Sequence, residues 1–376
     1  MSGIYLHIPF CKQACHYCNF HFSTSLKLKD EMVDALCTEI KMRGNYLSTD
    51  QLKSIYFGGG TPSILEEKDL SKIINQLAAQ YSWSDDAEIT LEANPDDLNF
   101  EKIRLLKSMG INRLSIGIQS FHDADLNWMN RAHNAQQAEN CIKVAQDAGF
   151  DNITIDLIYG SPATTDEIWN SNIEKALSFQ IPHISSYCLT VEEKTALHYK
   201  IKTGKMQSPI PEQGNQQYEI LMLKLSEAGF DHYEISNFGK PGYYAIHNTS
   251  YWQGVPYLGI GPSAHSYDGV SRSWNIAHNK KYIDSIMVGD LPAQAEILDD
   301  TTRYNEYIMT GLRTMWGVDL KQLNALGPQY GEYFLNQSKR IHSKGWLQQH
   351  GEVFTLTHEG KFFADRAAME LFWGDQ

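Results

Sequence analysis

Short β-rich runs alternate with longer stretches of helical period through the first 230 residues, and this alternation restricts the fold more than composition can. The β-rich runs fall at 4–8, 54–58, 88–93, 113–118, 153–158 and 183–189. The helical stretches fall at 30–46, 66–80, 99–109, 135–148, 165–179 and 211–228. In the first of these, Met32, Val33, Leu36, Cys37, Ile40 and Met42 form an apolar stripe, with Asp34, Glu39, Lys41 and Arg43 on the polar side. Six consecutive βα units predict a parallel sheet with right-handed crossovers. Strands of nearly continuous apolar character predict that both faces are covered. The expected fold is α/β, a partial (β/α)6 TIM-like barrel spanning 1–230.

The rhythm then changes. An extension covers 231–290, and helices at 301–315, 319–325 and 330–343 are followed by two short β runs at 346–349 and 353–356 about a glycine turn. This predicts a mostly helical, winged-helix-like unit over 291–376. Such units often hold DNA, but 32 Lys+Arg against 45 Asp+Glu leave a formal charge of −13, the wrong sign for gripping phosphates. No nucleic-acid partner is expected. The first ten residues lack the basic start and apolar core of a signal peptide, and no apolar run reaches the ~20 residues a membrane span needs. A cytoplasmic protein with reduced cysteines is expected.

Of the six cysteines, Cys37, Cys141 and Cys188 are scattered and read as small buried hydrophobes. Cys11, Cys15 and Cys18 differ, because C-x3-C-x2-C on one loop brings three thiolates toward one soft metal centre. Zinc is one occupant, with His7, His16 or His21 as the fourth ligand, although no later cysteine pair exists to complete the usual structural site. An iron–sulfur cubane with three protein ligands and one open iron is the other. Its open iron would take a small molecule.

The unusual polar residues lie where strands end. Gly58-Gly59-Gly60-Thr61-Pro62 follows the second run, Glu92-Ala93-Asn94-Pro95 ends the third, Gln119-Ser120 ends the fourth and Asp156 closes the fifth. In a β/α barrel these ends share one mouth. The glycines form a turn or let backbone lie against a ligand. Glu92 and Asp156, set in apolar runs, each need a partner. Gln119 and the Arg131 fork would suit an amino-acid ligand.

The run Tyr5-Leu6-His7-Ile8-Pro9-Phe10-Cys11-x3-Cys15-x-Tyr17-Cys18, with the glycine run, resembles the radical S-adenosylmethionine (SAM) superfamily, and more narrowly the oxygen-independent coproporphyrinogen III oxidase group. Arg113 to Phe121, Asn130-Arg131-Ala132-His133, Asp156 to Gly160 and Tyr187 to Glu192 continue the likeness. The resemblance implies a radical SAM barrel in which Cys11, Cys15 and Cys18 hold a [4Fe–4S] cluster whose fourth iron is chelated by SAM. It implies further that Tyr5 and Tyr17 border SAM, that Gly59, Gly60 and Thr61 meet its methionyl end, and that Glu92, Gln119, Arg131 and Asp156 complete its pocket. Reductive cleavage to methionine and a 5′-deoxyadenosyl radical would follow, with flavodoxin or ferredoxin as electron donor.

Two branches divide this group. The decarboxylating oxidases carry a further cysteine two residues on and an N-terminal segment; here that position is Phe20, and three residues precede the first β run. His232-Tyr233-Glu234-Ile235-Ser236-Asn237-Phe238 and His247-Asn248-Thr249-Ser250-Tyr251-Trp252 resemble instead the heme-chaperone branch, HemW. That likeness implies heme as cargo and a hemoprotein as acceptor. It also makes His247 a candidate axial ligand, the alternative being a hydrogen-bonded histidine in a loop. His265 is a second ligand candidate, and Arg272 a partner for a propionate.

Overall fold

The computed structural model describes residues 2–49 and 51–374. Six strands, β1 (Gly3–Ile8), β2 (Gln51–Gly59), β3 (Ser82–Ala93), β4 (Arg113–Gln119), β5 (Asn152–Tyr159) and β6 (His183–Cys188), lie parallel in sequence order. The crossovers carry α1 (Lys29–Met42), α2 (Glu67–Ala78), α3 (Phe100–Ser108), α4 (Asp123–Met129), α5 (Ala135–Asp147) and α6 (Asp166–Ser178); α7 (Ala196–Lys202) and α8 (Pro211–Glu227) follow β6. Local chemistry starts several of these helices. Asn99 and Thr165 accept from the backbone of Lys102 and Ile168, and Asn134 and Gln137 cap reciprocally. The six-unit parallel reading holds. The two seven-residue helices α4 and α7, which the periodicity did not bring out, are additions to it.

The next segment extends this sheet at both edges. β7 (Asp231–Glu234) and β8 (Asn237–Gly239) add antiparallel beyond β6. After α9 (Ile246–Trp252), β9 (Tyr257–Ile260) joins β1 in parallel, and β10 (His265–Tyr267), β11 (Ser271–Asn275) and, past α10 (Asn279–Met287), β12 (Ala293–Ile297) continue antiparallel. The sheet runs β12-β11-β10-β9-β1-β2-β3-β4-β5-β6-β8-β7, a barrel left open between β12 and β7. Glu39, fully buried on α1, fastens the extension by accepting from the Gly261 amide (2.8 Å), Asn275 Nδ2 (2.8 Å) and Tyr282 Oη (2.5 Å). Arg43 adds bonds to the Gly259 carbonyl (3.2 Å) and Ser266 Oγ (3.1 Å).

The two faces of the sheet have opposite character. Ile4, Leu6, Ile55, Phe57, Leu91 and Leu114 point outward and pack with the helices into the main hydrophobic core. The alternate residues face in, and they are polar: Tyr5, Tyr56, Thr90 and Arg113 stand in register across four strands. Both faces of the strands are covered, as their apolar character predicts, but the inner cover is built from polar groups. Polarity inside is tolerated because the groups satisfy one another, as buried polar atoms must. Thr154 Oγ1 receives Arg113 Nη2 and lies 3.0 Å from His183 Nδ1, and His183 Nε2 lies 2.7 Å from Tyr233 Oη.

The C-terminal unit has its own core of Tyr304, Ile308, Leu323, Phe334, Trp346 and Phe354 among others. It comprises α11 (Asp300–Leu312), β13 (Val318–Asp319), α12 (Leu320–Leu326), α13 (Pro328–Ser343), β14 (Leu347–His350) and β15 (Val353–Leu356), with a three-stranded wing ordered β13-β15-β14. Arg313 reaches the buried Glu234 at 3.5 Å, and Lys361 reaches His232 Nδ1 at 3.0 Å, tying the unit to β7. No helix among the described residues is long and apolar enough to cross a membrane.

Candidate functional site

A cavity of about 390 Å³ opens where the parallel strands end, beneath the cysteine loop. The loop is pinned from across the barrel. Asn130, in the left-handed conformation that ends α4, donates to the Ala14 carbonyl (2.7 Å) and accepts at its own carbonyl from Gln13 Nε2 (2.9 Å). The His16 amide bonds to the Met129 carbonyl, and the Cys11 amide to Ser23. So held, Cys11, Cys15 and Cys18 line the cavity together with Tyr17.

The thiols are suited to a cationic centre. Burial pushes Cys11 up to about 11 and Cys18 upward, Thr61 Oγ1 donates to Cys11 Sγ (3.4 Å), and Arg131 Nη1 donates to Cys15 Sγ (3.3 Å). Thiols raised in this way stay protonated until a bound metal ion supplies the positive charge that lets them ionise. The histidines that could complete a zinc site are engaged elsewhere. His7 Nε2 meets the His21 carbonyl, His16 bonds to the Trp128 carbonyl and to Lys200, and His21 Nε2 meets Asn279. Among the described residues no three His, Cys, Asp or Glu side chains are grouped as a single-ion site. In a cubane each thiolate binds its own iron, so the donors need not meet at a point. The donor set fits a [4Fe–4S] cluster.

Two enclosed carboxylates face the thiols from deeper in the cavity. Burial raises Glu92 to about 7, against the pull of hydrogen bonds from Tyr56 Oη (2.8 Å) and the Gly59 amide (3.2 Å). Burial raises Asp156 to about 6, with Arg113 and Arg131 lowering it. Carboxyls raised this far are poised to receive a cation, and SAM carries an ammonium and a sulfonium.

The glycine run comes close to backbone and ring alike. Gly59 has φ +105°, and a Cβ on Gly60 would lie 2.6 Å from the Phe10 carbonyl oxygen and 2.8 Å from that of Ile8. Gly59, Gly60 and Thr61 line the cavity. Thr61 also accepts from Asn94 Nδ2 at 3.2 Å. Gln119 holds φ 65°, rare for a residue with a side chain, and it too lines the cavity.

Several sequence-predicted residues are placed otherwise than expected. Cys188 is exposed and lines the cavity instead of being buried like Cys37 and Cys141. Arg131 lines the cavity, but its fork is not open. Nη2 is bound to Asn94 Oδ1 and the Gly117 carbonyl, both at 2.7 Å, and Nη1 also touches Tyr17 Oη (3.4 Å), while buried Nε has no partner among the described residues. Tyr5 does not line the cavity. It lies one layer below, stacked on Tyr56 with its hydroxyl 3.1 Å from His7 Nδ1, because its inward position on β1 is level with Tyr56 and below Gly58 and Glu92. His247 lies in neither the cavity nor an exposed loop. It is on α9, 1% exposed, with Nδ1 2.8 Å from Ser54 Oγ and Nε2 2.7 Å from Tyr251 Oη, so neither nitrogen is presented to a metal. Arg272 is engaged by Glu306, and exposed His265 stacks on Trp274. Tyr56 escaped the sequence reading, although it stands two residues before Gly58 on the same inward face.

The radical SAM superfamily profile matches residues 5–175, and the HemN C-terminal domain profile matches 298–363. The heme chaperone HemW of Bacillus subtilis (strain 168) is 37% identical over 372 residues, covering 97% of each chain. That of Mycobacterium tuberculosis (strain CDC 1551 / Oshkosh) is 32% identical, covering 98% of this chain and 94% of its own. The structure of HemN, the coproporphyrinogen III oxidase from Escherichia coli, superimposes with TM-score 0.85 over 99% of this chain and 90% of that one at 22% identity, which establishes a shared fold. A cysteine loop, glycine run and paired carboxylates around one barrel mouth, in a chain this similar to HemW from end to end, make it a member of the HemW heme-chaperone family of the radical SAM superfamily.

Proposed function

We propose that this protein is a cytoplasmic heme carrier that binds a [4Fe–4S] cluster on Cys11, Cys15 and Cys18 and SAM against it, and that passes heme to acceptor hemoproteins. When bound, the cluster and SAM supply one-electron reductive chemistry, fed by flavodoxin or ferredoxin. The observation that carries the reading is the convergence of three thiols, two raised carboxylates and a close-approaching glycine run on one cavity. Within it, Glu92 and Asp156 would balance the cationic groups of SAM. Gly59, Gly60 and Thr61 would lie along its methionyl end, Gln119 would offer a polar contact, and Tyr17 would border it. Arg131 would brace the cysteine loop and place positive charge beside a cluster thiolate.

Heme enters the reading through the family. Phe20, 68% exposed at the cavity mouth, stands where the oxidase branch carries a further cysteine, and with exposed Tyr187 it would offer a porphyrin an aromatic face. Phe20→Ala should weaken heme binding about three- to tenfold, the worth of one aromatic contact. The reading is tested by anaerobic iron and sulfide reconstitution followed by titration with SAM and with heme. Four irons and one SAM per chain, lost together in the Cys11→Ala/Cys15→Ala/Cys18→Ala variant, with one heme per chain, are the expected result. A colourless reconstituted protein that contains zinc would overturn it.

A further inference from the structure

The His247-Asn248-Thr249-Ser250-Tyr251-Trp252 run forms most of α9, which sits at the barrel end opposite the cysteine loop, against the start of β2. Glu88 anchors the helix, its two carboxylate oxygens accepting the amides of Ile246 and His247 at 2.9 Å each. The His247 ring points into the barrel. It lies 5.1 Å from the Tyr56 ring at 25° and 6.4 Å from the Tyr5 ring at 27°, and those two tyrosines stack on each other at 6.1 Å.

From Tyr56 the contact continues upward. Its hydroxyl donates to Glu92 Oε1 at 2.8 Å, and the other oxygen of Glu92 takes the Gly59 amide. One unbroken series of packed and hydrogen-bonded groups thus joins α9 to the floor of the cavity: Ser54 and Tyr251 fix the imidazole, the imidazole supports Tyr56, and Tyr56 aims Glu92.

We infer that His247 is a positioning residue for the SAM cavity, acting through Tyr56 on Glu92, and that it is not the axial ligand of heme. The inference rests on reading the cavity as the SAM site. Iron ligation needs a free imidazole lone pair and an open approach for a flat macrocycle. Here both nitrogens have partners, one ring face is against Tyr56, and Tyr251 stands edge-on at 4.9 Å. Burial also holds the ring neutral, down to about pH 3, so the support under Tyr56 does not alter across the physiological range.

The test uses the reconstituted full-length protein, with SAM affinity measured by calorimetry and heme affinity by the Soret band on the same preparation. His247→Ala should weaken SAM binding about tenfold or more and leave heme affinity unchanged, the scale of one lost buried contact. His247→Phe keeps a flat ring beneath Tyr56 and should recover most of the SAM affinity. Ser54→Ala/Tyr251→Phe leaves the ring in place with both nitrogens released, and decides the matter even if His247→Ala does not fold. Released nitrogens should loosen SAM by about threefold without strengthening heme. Tighter heme binding in that double variant, or loss of heme in His247→Ala with SAM binding intact, overturns the inference. Wild-type binding of SAM with all three variants unaltered also overturns it, whereas a wild type that binds no SAM removes the SAM reading beneath it.

Discussion

Glu92 and Asp156 are the residues whose environment says most about the ligand. Both are enclosed carboxyls that burial raises, to about 7 and about 6, and a cation bound beside them would favour their ionised forms. The sign follows: below those values the free site is protonated, so SAM must displace a proton to bind, and its affinity falls as pH drops through 7 toward 5.5. The fall should approach about tenfold per pH unit per group at the acid end. Calorimetry in two buffers of different ionisation enthalpy should register proton release near pH 6 and little near pH 8. Glu92→Gln should weaken binding at pH 8 and flatten the upper part of the profile, and an affinity constant from pH 8 to 5.5 would refute the role. Arg131 makes a different demand. Its planar fork joins Cys15, Tyr17, Asn94 and Gly117, a set that one lysine ammonium cannot reach. Arg131→Lys should therefore lose cluster iron faster under a chelator while the far-ultraviolet circular dichroism stays unchanged.

At the scale of elements, the polar barrel interior is where stability and site geometry meet. Arg113, 1% exposed on β4, lies 3.6 Å from Glu88 on β3, which also anchors α9. Removing either partner strands a buried charge, so Arg113→Met and Glu88→Gln should each lower stability by about 3–5 kcal/mol. The double variant should lose less than the sum, because the second change removes the charge that the first left unpaired. Denaturant titration checks this, and strict additivity would show that the pair is not coupled. The strands were legible because Ile4, Leu6, Phe57 and Leu114 must be buried against helices whatever the inner face carries. The inner face was less legible. Tyr56 drew no notice and Arg113 and His183 only opened their β runs; the links that satisfy them, Arg113 to Thr154 to His183 and Tyr56 to His247, cross between strands and helices far apart in sequence. For the same reason the short strands β7 to β12 escaped notice. They are stabilised by pairing onto an existing edge rather than by their own periodicity.

For the molecule as a whole, residues far apart in sequence meet at one mouth because six parallel strands end there. That is why the cysteines, glycines, Glu92, Gln119, Arg131 and Asp156 could be picked out as one site from sequence, whereas Tyr5 and His247 were placed by motif and lie below it or at its far end. The winged C-terminal unit adds no described lining residue to the cavity, and its ties run through Arg313 and Lys361 to β7. The central claim is that this barrel carries heme rather than turning over porphyrinogen. The measurement that tests it most directly gives the reconstituted, heme-loaded protein an apo-hemoprotein acceptor, with a parallel sample supplied with SAM, reductant and coproporphyrinogen III. Heme should move to the acceptor, seen as a shift of the Soret band to that of the acceptor's holo form, while no protoporphyrinogen accumulates. Many turnovers of porphyrinogen per chain, with heme left on the donor, would contradict the account.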